Sequence, residues 1–207
     1  MMHLQPESLQ TVDVKDGAPS PIHNLRNDLH KSLNRNHIDP SALSTFQRIL
    51  LTTDGTVTDI LEAYLFEQIR VAKLSEQIVS LSHDIPSMEL KEGTQVIIRK
   101  VLLQGKISRK NFIFADSIIV PERLDERFRD ALLETKMPIG KLWFEQRVET
   151  FKEMLHSSKE TTGDLADYFN IQPSDNMFSR TYRVVTNRKF VMMITEKFPE
   201  SYFSKSF

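Results

Sequence analysis

Two charged residues stand where the local pattern asks for apolar ones. Residues 94–103 read Thr-Gln-Val-Ile-Ile-Arg-Lys-Val-Leu-Leu, a strand pattern in which successive side chains point to opposite faces. Arg99 then shares a face with Ile97, Val101 and Leu103. Toward the C-terminus, Glu196 falls on the same alternation as Phe190, Met192, Ile194 and Phe198. A lone buried charge is costly, so each group needs a partner, water or a ligand. Three arrangements answer that need. The two residues can pair with each other, both faces can be partly solvated, or the pair can close the ends of a small apolar cavity. A cavity of that kind suits a flat ligand with one anionic end and one hydroxyl end.

Backbone groups offer a second route to an anion. The first N–H groups of a helix have no internal partner and favour negative charge. Val57 sits at such a start, just after Gly55-Thr56, and the Pro138-Ile139-Gly140 turn also exposes N–H groups around Ile139. An ordinary capped surface helix and a plain connector are the alternative readings. Other chemistry finds no pattern. The chain contains no Gly-x-Ser-x-Gly elbow, no Gly-x-x-x-x-Gly-Lys loop and no Gly-x-Gly-x-x-Gly fingerprint. Its six His residues show no metal-binding spacing, and there is no cysteine. No metal and no organic cofactor is therefore expected. The basic run 106–110 reads as a solvated hairpin tip, and Met192-Met193 as core.

These residues must be carried by a single domain, since 207 residues are too few for two ordinary ones. Lys+Arg number 27 against 28 Asp+Glu, so no global charge draws the chain to nucleic acid or a membrane surface. The polar first twenty residues lack the apolar core of a secretory signal, which points to a cytoplasmic protein. Residues 1–38 read as an N-terminal extension, partly disordered. Order is expected from Asp39-Pro40, with Asp39 capping a helix through Leu43, Phe46, Ile49 and Leu50. A second helix should start at Thr56, where Thr56-Val57-Thr58-Asp59 has the form of a capping box. Strands are expected over 69–82, 94–103 and 111–120, and a helix with Leu124, Phe128, Ala131 and Leu132 after Pro121. Residues 141–155 read as one or two strands, with helix possible after Val148, and 161–170 as a short helix or lid. A hairpin should run through 180–186 and 189–198 across Asn187-Arg188. The sum is an α+β fold: a mainly antiparallel sheet of about six strands, with helices packed on one face.

Several short pieces, in order, resemble the chorismate lyase family, including its branch in cyanobacteria, algal plastids and archaea. They are Leu-Leu-Thr-Thr-Asp-Gly-Thr-Val-Thr at 50–58, Ile-Arg-Lys-Val-Leu-Leu at 98–103, Ala-Asp-Ser-Ile-Ile-Val-Pro at 115–121, Met-Pro-Ile-Gly at 137–140 and Ile-Thr-Glu-Lys-Phe-Pro at 194–199. The resemblance covers roughly residues 40–200 and implies a chorismate lyase-like domain over 39–203. It implies cleavage of chorismate to 4-hydroxybenzoate and pyruvate, without a cofactor, for quinone or related aromatic biosynthesis. It implies that Arg99 holds the ring carboxylate, with Val57 and Ile139 adding backbone N–H groups, and that Glu196 meets the 4-hydroxyl. Arg180 or Arg183 is the candidate for chorismate's second carboxylate. The same fold serves ligand-sensing domains of GntR-type regulators, so a non-catalytic small-ligand-binding domain is the alternative, as is a lyase giving another hydroxybenzoate. Residues 1–38 are too short and too poor in apolar periodicity for the winged helix that precedes such sensors.

Overall fold

The structure, a computed structural model, describes residues 38–53, 55–134 and 137–204. Apart from Ile38, the expected N-terminal extension lies outside the described residues. Six strands form one antiparallel sheet: β1 (Ile69–Ser80), β2 (Gln95–Gly105), β3 (Asn111–Ile119), β4 (Phe151–Thr161), β5 (Asn176–Thr186) and β6 (Lys189–Pro199). Their spatial order is β1-β2-β3-β6-β5-β4. Each half of the chain makes a three-strand meander, and β3 pairs with β6 to join the two. The predicted α+β architecture is the one observed.

Alternation puts two apolar clusters on one face of the sheet. The first gathers Val71, Val101, Leu103, Ile113, Phe178 and Phe198 beneath α1 (Thr45–Thr52) and α2 (Val57–Leu65). The second gathers Ile97, Ile119, Tyr182, Val184 and Ile194 beneath α3 (Glu126–Glu134) and α4 (Ile139–Glu145). The four-residue α5 (Ala166–Phe169) packs on the opposite face, where Phe169 joins Leu102, Phe114 and Met177. The segment expected as a short helix or lid is therefore a helix, but one that plugs the back of the sheet.

Local departures from expectation have identifiable causes. Asp39 accepts from the Ser41 N–H at 2.8 Å, but this closes only a 3-10 turn, Pro40–Ala42. The helix proper is capped by Ser44, which forms a full capping box with Gln47. At α2 the expected box is absent, because Thr56 makes no side-chain cap. Of residues 141–155, expected as one or two strands, only 151–155 are strand, the beginning of β4. Helix α4 takes the first part, burying Leu142 and Trp143 against the α3 side chains Phe128 and Leu132, and β4 begins only at Phe151. Helix there precedes Val148 rather than follows it. A short apolar run has no periodicity of its own to decide between helix and strand, so packing decided.

The hairpin turn at Asn187-Arg188 has positive φ at both positions, 48° and 61°, as a tight two-residue turn requires. A bulge then interrupts β6: Val184 pairs with Met192 while Val185 pairs with Phe190, leaving Val191 as the extra residue. Phe190 is thereby turned to the opposite face, beside Met193, and does not share the face of Glu196.

Ser44 also donates to the Phe203 carbonyl, so one hydroxyl ties the start of α1 to the C-terminal segment. Ser44→Ala is expected to lower stability by about 1–2 kcal/mol. Urea denaturation measures this, and a midpoint equal to the parent's would show that the cap contributes nothing.

Candidate active site

Between the two apolar clusters lies a cavity whose floor is the middle of the sheet. Strand β3 contributes Ala115 and Ser117 there. Cα partners run Arg99–Ser117–Ile194 in one row and Val101–Ala115–Glu196 in the next. The small side chains of β3 leave room that larger ones would fill. On either side stand Arg99 and Glu196, two strand spacings, about 9.6 Å, apart across the sheet and offset by one row. The cavity is lined by both of them, and by Val57 and Ile139 at the starts of α2 and α4. The four residues singled out in the sequence therefore come together in one place.

Arg99 and Glu196 do not pair with each other. Arg99 is 2% exposed, and none of its three guanidinium nitrogens has a hydrogen-bond partner among the described residues. Its countercharge is Glu76, opposite it on β1, at 3.4 Å from Nε in a geometry short of a hydrogen bond. Burial pulls the Arg99 guanidinium below its ordinary pKa, and the charge of Glu76 pushes it back up. Its Nη1 and Nη2 have no acceptor among the described residues. A planar acceptor such as a carboxylate would satisfy both at once.

Glu196, in contrast, is held from two sides. Arg180 Nε donates to Oε2 at 2.7 Å and the Tyr182 hydroxyl donates to Oε1 at 2.9 Å. Arg180 also donates to the carbonyls of Leu50 and of Thr53, at the end of α1. Tyr182 is pushed well above the usual phenol range by burial first and by the Glu196 charge second, with Arg180 opposing. It is a neutral donor at ordinary pH. Each Glu196 oxygen keeps a further lone pair for a ligand hydroxyl.

Two helix starts meet at the cavity edge. Val57 is the first residue of α2, so its N–H and that of Thr58 have no intrahelical acceptor. Ile139 opens α4 directly after Pro138. The two starts approach so closely that a Cβ on Gly140 would lie 2.2 Å from Thr56 Cγ2. Lys141 and the Ile69 N–H both bond to Glu62, tying α4 and β1 to α2.

Arg180 and Arg183 do not take the place expected of them. Neither lines the cavity. Arg180 is engaged by Glu196 and the α1 carbonyls, and Arg183 lies on the reverse face, bonded to Glu153 and the Ser87 carbonyl and stacked on Phe190. The residues that the sequence reading missed are Tyr182, Glu76 and Lys152. Tyr182 and Arg180 alternate with Phe178 and Val184, so the argument that exposed Arg99 would have exposed them had β5 been started at its true beginning. Glu76 carries no such signal, because a bulge between Lys73 and Ser75 breaks the alternation of β1.

Comparison with known proteins gives a consistent picture. A family model described as chorismate pyruvate-lyase Rv2949c-like matches residues 51–205. The chain is 32% identical over 160 residues to a chorismate pyruvate-lyase of Mycobacterium leprae, covering 75% of each protein. It is 30% identical over 168 residues to a chorismate pyruvate-lyase of Mycobacterium tuberculosis, covering 75% of this chain and 80% of that one. Among solved structures, the effector domain of PhnF from Mycobacterium smegmatis superposes with a TM-score of 0.56 at 9% identity, over 72% of this chain and 91% of that one. A GntR-family transcriptional regulator from Bacillus cereus gives 0.52 at 9% identity, over 67% and 96%. At such identities the structural likeness concerns the fold alone.

Gly140→Ala should force the two helix starts apart and cost about 1–3 kcal/mol. Adding Thr56→Ser, which removes the methyl group in the way, should recover most of the loss. Denaturation of the single and double variants tests this; an unperturbed Gly140→Ala would refute the close approach.

Proposed function

The chain belongs to the Rv2949c-like chorismate pyruvate-lyase family, and from that premise we propose that it cleaves chorismate into 4-hydroxybenzoate and pyruvate. The observation that carries the reading is Arg99: a buried guanidinium with no hydrogen-bond partner among the described residues, facing a largely apolar cavity with Glu196 at its other end. Nη1 and Nη2 would take the ring carboxylate in a two-point contact. The N–H groups of Val57 and Ile139 would add donors to the same carboxylate. Glu196 would accept from the 4-hydroxyl.

The reaction asks little of the protein beyond placement. As the C3–O ether bond breaks, the C4 hydrogen passes to the methylene carbon of the enolpyruvyl group. The ring gains its last double bond and the side chain departs as pyruvate, so the step is balanced within one molecule. Aromatisation drives it, and holding the reactive conformer supplies the acceleration. Glu196, gripped by Arg180 and Tyr182, is suited to orienting the hydroxyl. No metal or organic cofactor takes part in this scheme. A 4-hydroxybenzoate product fits a role in supplying quinone or related aromatic biosynthesis.

Incubating the purified protein with chorismate should release 4-hydroxybenzoate and pyruvate in equal amounts. Release of another hydroxybenzoate would correct the product, and binding without release would make the domain a sensor. Arg99→Ala should weaken 4-hydroxybenzoate binding about a hundredfold or more, the scale of removing one partner of a buried charge pair. Its folding is checked first by denaturation, because Arg99→Ala also removes the countercharge of Glu76. Arg99→Lys should rescue only in part, since an ammonium lacks the planar fork. Glu196→Gln should keep substantial turnover if the carboxylate orients; near-complete loss with intact product binding would make it a base. The site assignment fails if folded Arg99→Ala binds 4-hydroxybenzoate as the parent does.

Activity should also survive a chelator. Loss with EDTA, restored by one particular divalent ion, would show the scheme to be wrong.

A further inference from the structure

We propose that Lys152 binds the enolpyruvyl carboxylate of chorismate and so lets the site distinguish substrate from product. The inference rests on the chorismate reading and deepens it. Chorismate carries two carboxylates, and Arg99 accounts for one. Among the described residues that line the cavity, the cations are Arg99 and Lys152. Arg180 is spent on Glu196 and Arg183 lies behind the sheet.

Lys152 stands at the correct end. It lies on β4 opposite Val184, on the same face as Tyr182. Its Nζ is 5.5 Å from the Tyr182 ring centre and 5.8 Å from that of Trp143. The Tyr182 hydroxyl is bonded to Glu196, so the ammonium sits at the hydroxyl-binding end of the cavity, away from Arg99. In chorismate the ether oxygen is on the ring carbon adjacent to the one bearing the hydroxyl. With that hydroxyl at Glu196 and the ring carboxylate at Arg99, one of the two ring orientations about that axis directs the enolpyruvyl arm to the Lys152 side.

The position also suits a group that must leave. Lys152 lines both the cavity and the outer groove formed by Gly55, Thr56, Phe144, Arg147 and Phe151. Its Nζ donates to the Gly55 carbonyl at 3.1 Å, which holds the ammonium at the boundary between the two. An ammonium on a flexible stem binds a carboxylate as a point charge and gives it up more readily than a two-pronged guanidinium does. The aromatic product has lost the enolpyruvyl arm, and Lys152 has nothing to hold on it.

The test compares Lys152→Gln and Lys152→Arg with the parent. Gln keeps a donor for the Gly55 carbonyl but loses the charge; Arg keeps the charge. In steady-state kinetics with chorismate, Lys152→Gln should raise KM about tenfold or more, the scale of one lost charged hydrogen bond. Lys152→Arg should stay within a few-fold of the parent. Titration with 4-hydroxybenzoate should give affinities within about twofold for all three proteins, which also shows that the variants fold. Should Gln not fold, Lys152→Met carries the same comparison. An unchanged KM for chorismate in Lys152→Gln overturns the inference, as does an equal loss of affinity for substrate and product. A parent protein that releases no pyruvate overturns the chorismate reading instead, and this inference with it.

Discussion

A buried guanidinium holds the frame of this site together. Arg180 is 2% exposed in the middle of an apolar face, and it is tolerable there because its donors are matched. It bonds to Glu196 on β6 and to the Leu50 and Thr53 carbonyls where α1 ends. Helix C-termini leave carbonyls without partners and carry partial negative charge, so a cation at that end satisfies both. One side chain thus couples the central strands to the turn that leads into α2. The placement of Val57 at the cavity edge depends on that coupling, and so does the fixed orientation of Glu196.

Arg99 is held differently. The two arginines are equally buried, yet Arg180 is matched while Arg99 faces the cavity with no hydrogen-bond partner among the described residues. A protein shaped for stability alone would fill that place with an apolar side chain, since even a well-matched buried ion pair is often no better than one. Glu76, with one oxygen bonded to Lys73 at 2.6 Å and the other 3.4 Å from Arg99, supplies countercharge without closing the guanidinium. In such surroundings a charged hydrogen bond is stronger than in water.

The sheet topology explains why such a site can exist. Pairing β3 with β6 brings the two meanders together so that the face has one apolar cluster at each end and, between them, two neighbouring rows that carry Arg99 and the Glu196–Arg180 pair. Helices cover the ends and meet above the middle, at Gly140 and Thr56. The same architecture occurs in the effector domain of PhnF, at an identity that speaks for the fold alone. The architecture alone therefore does not fix a function, and the side chains in the central rows distinguish one such sheet from another.

Much of this was legible from residue order. Period-two alternation located five of the six strands and put Arg99 on a core face, because alternation is a property of extended backbone itself. The two-residue turn at Asn187-Arg188 and the start of α2 at Thr56 were equally local. Tertiary structure decided the rest. Whether Arg99 and Glu196 paired with each other depended on which strand lay between them, and β3 does, with side chains as small as Ala115 and Ser117. The bulge at Val191 moved Phe190 off the face that simple alternation assigned to it. Helix α4 replaced an expected strand because Leu142 and Trp143 found Phe128 and Leu132 to bury against. Lys152 gained its place in the cavity only because β4 begins after that helix. Alternation and turn chemistry act between near neighbours in the chain, whereas partners for a buried charge come from strands and helices far apart in sequence. That is why the residues of the site could be nominated one by one, while their pairing could be settled only by the fold.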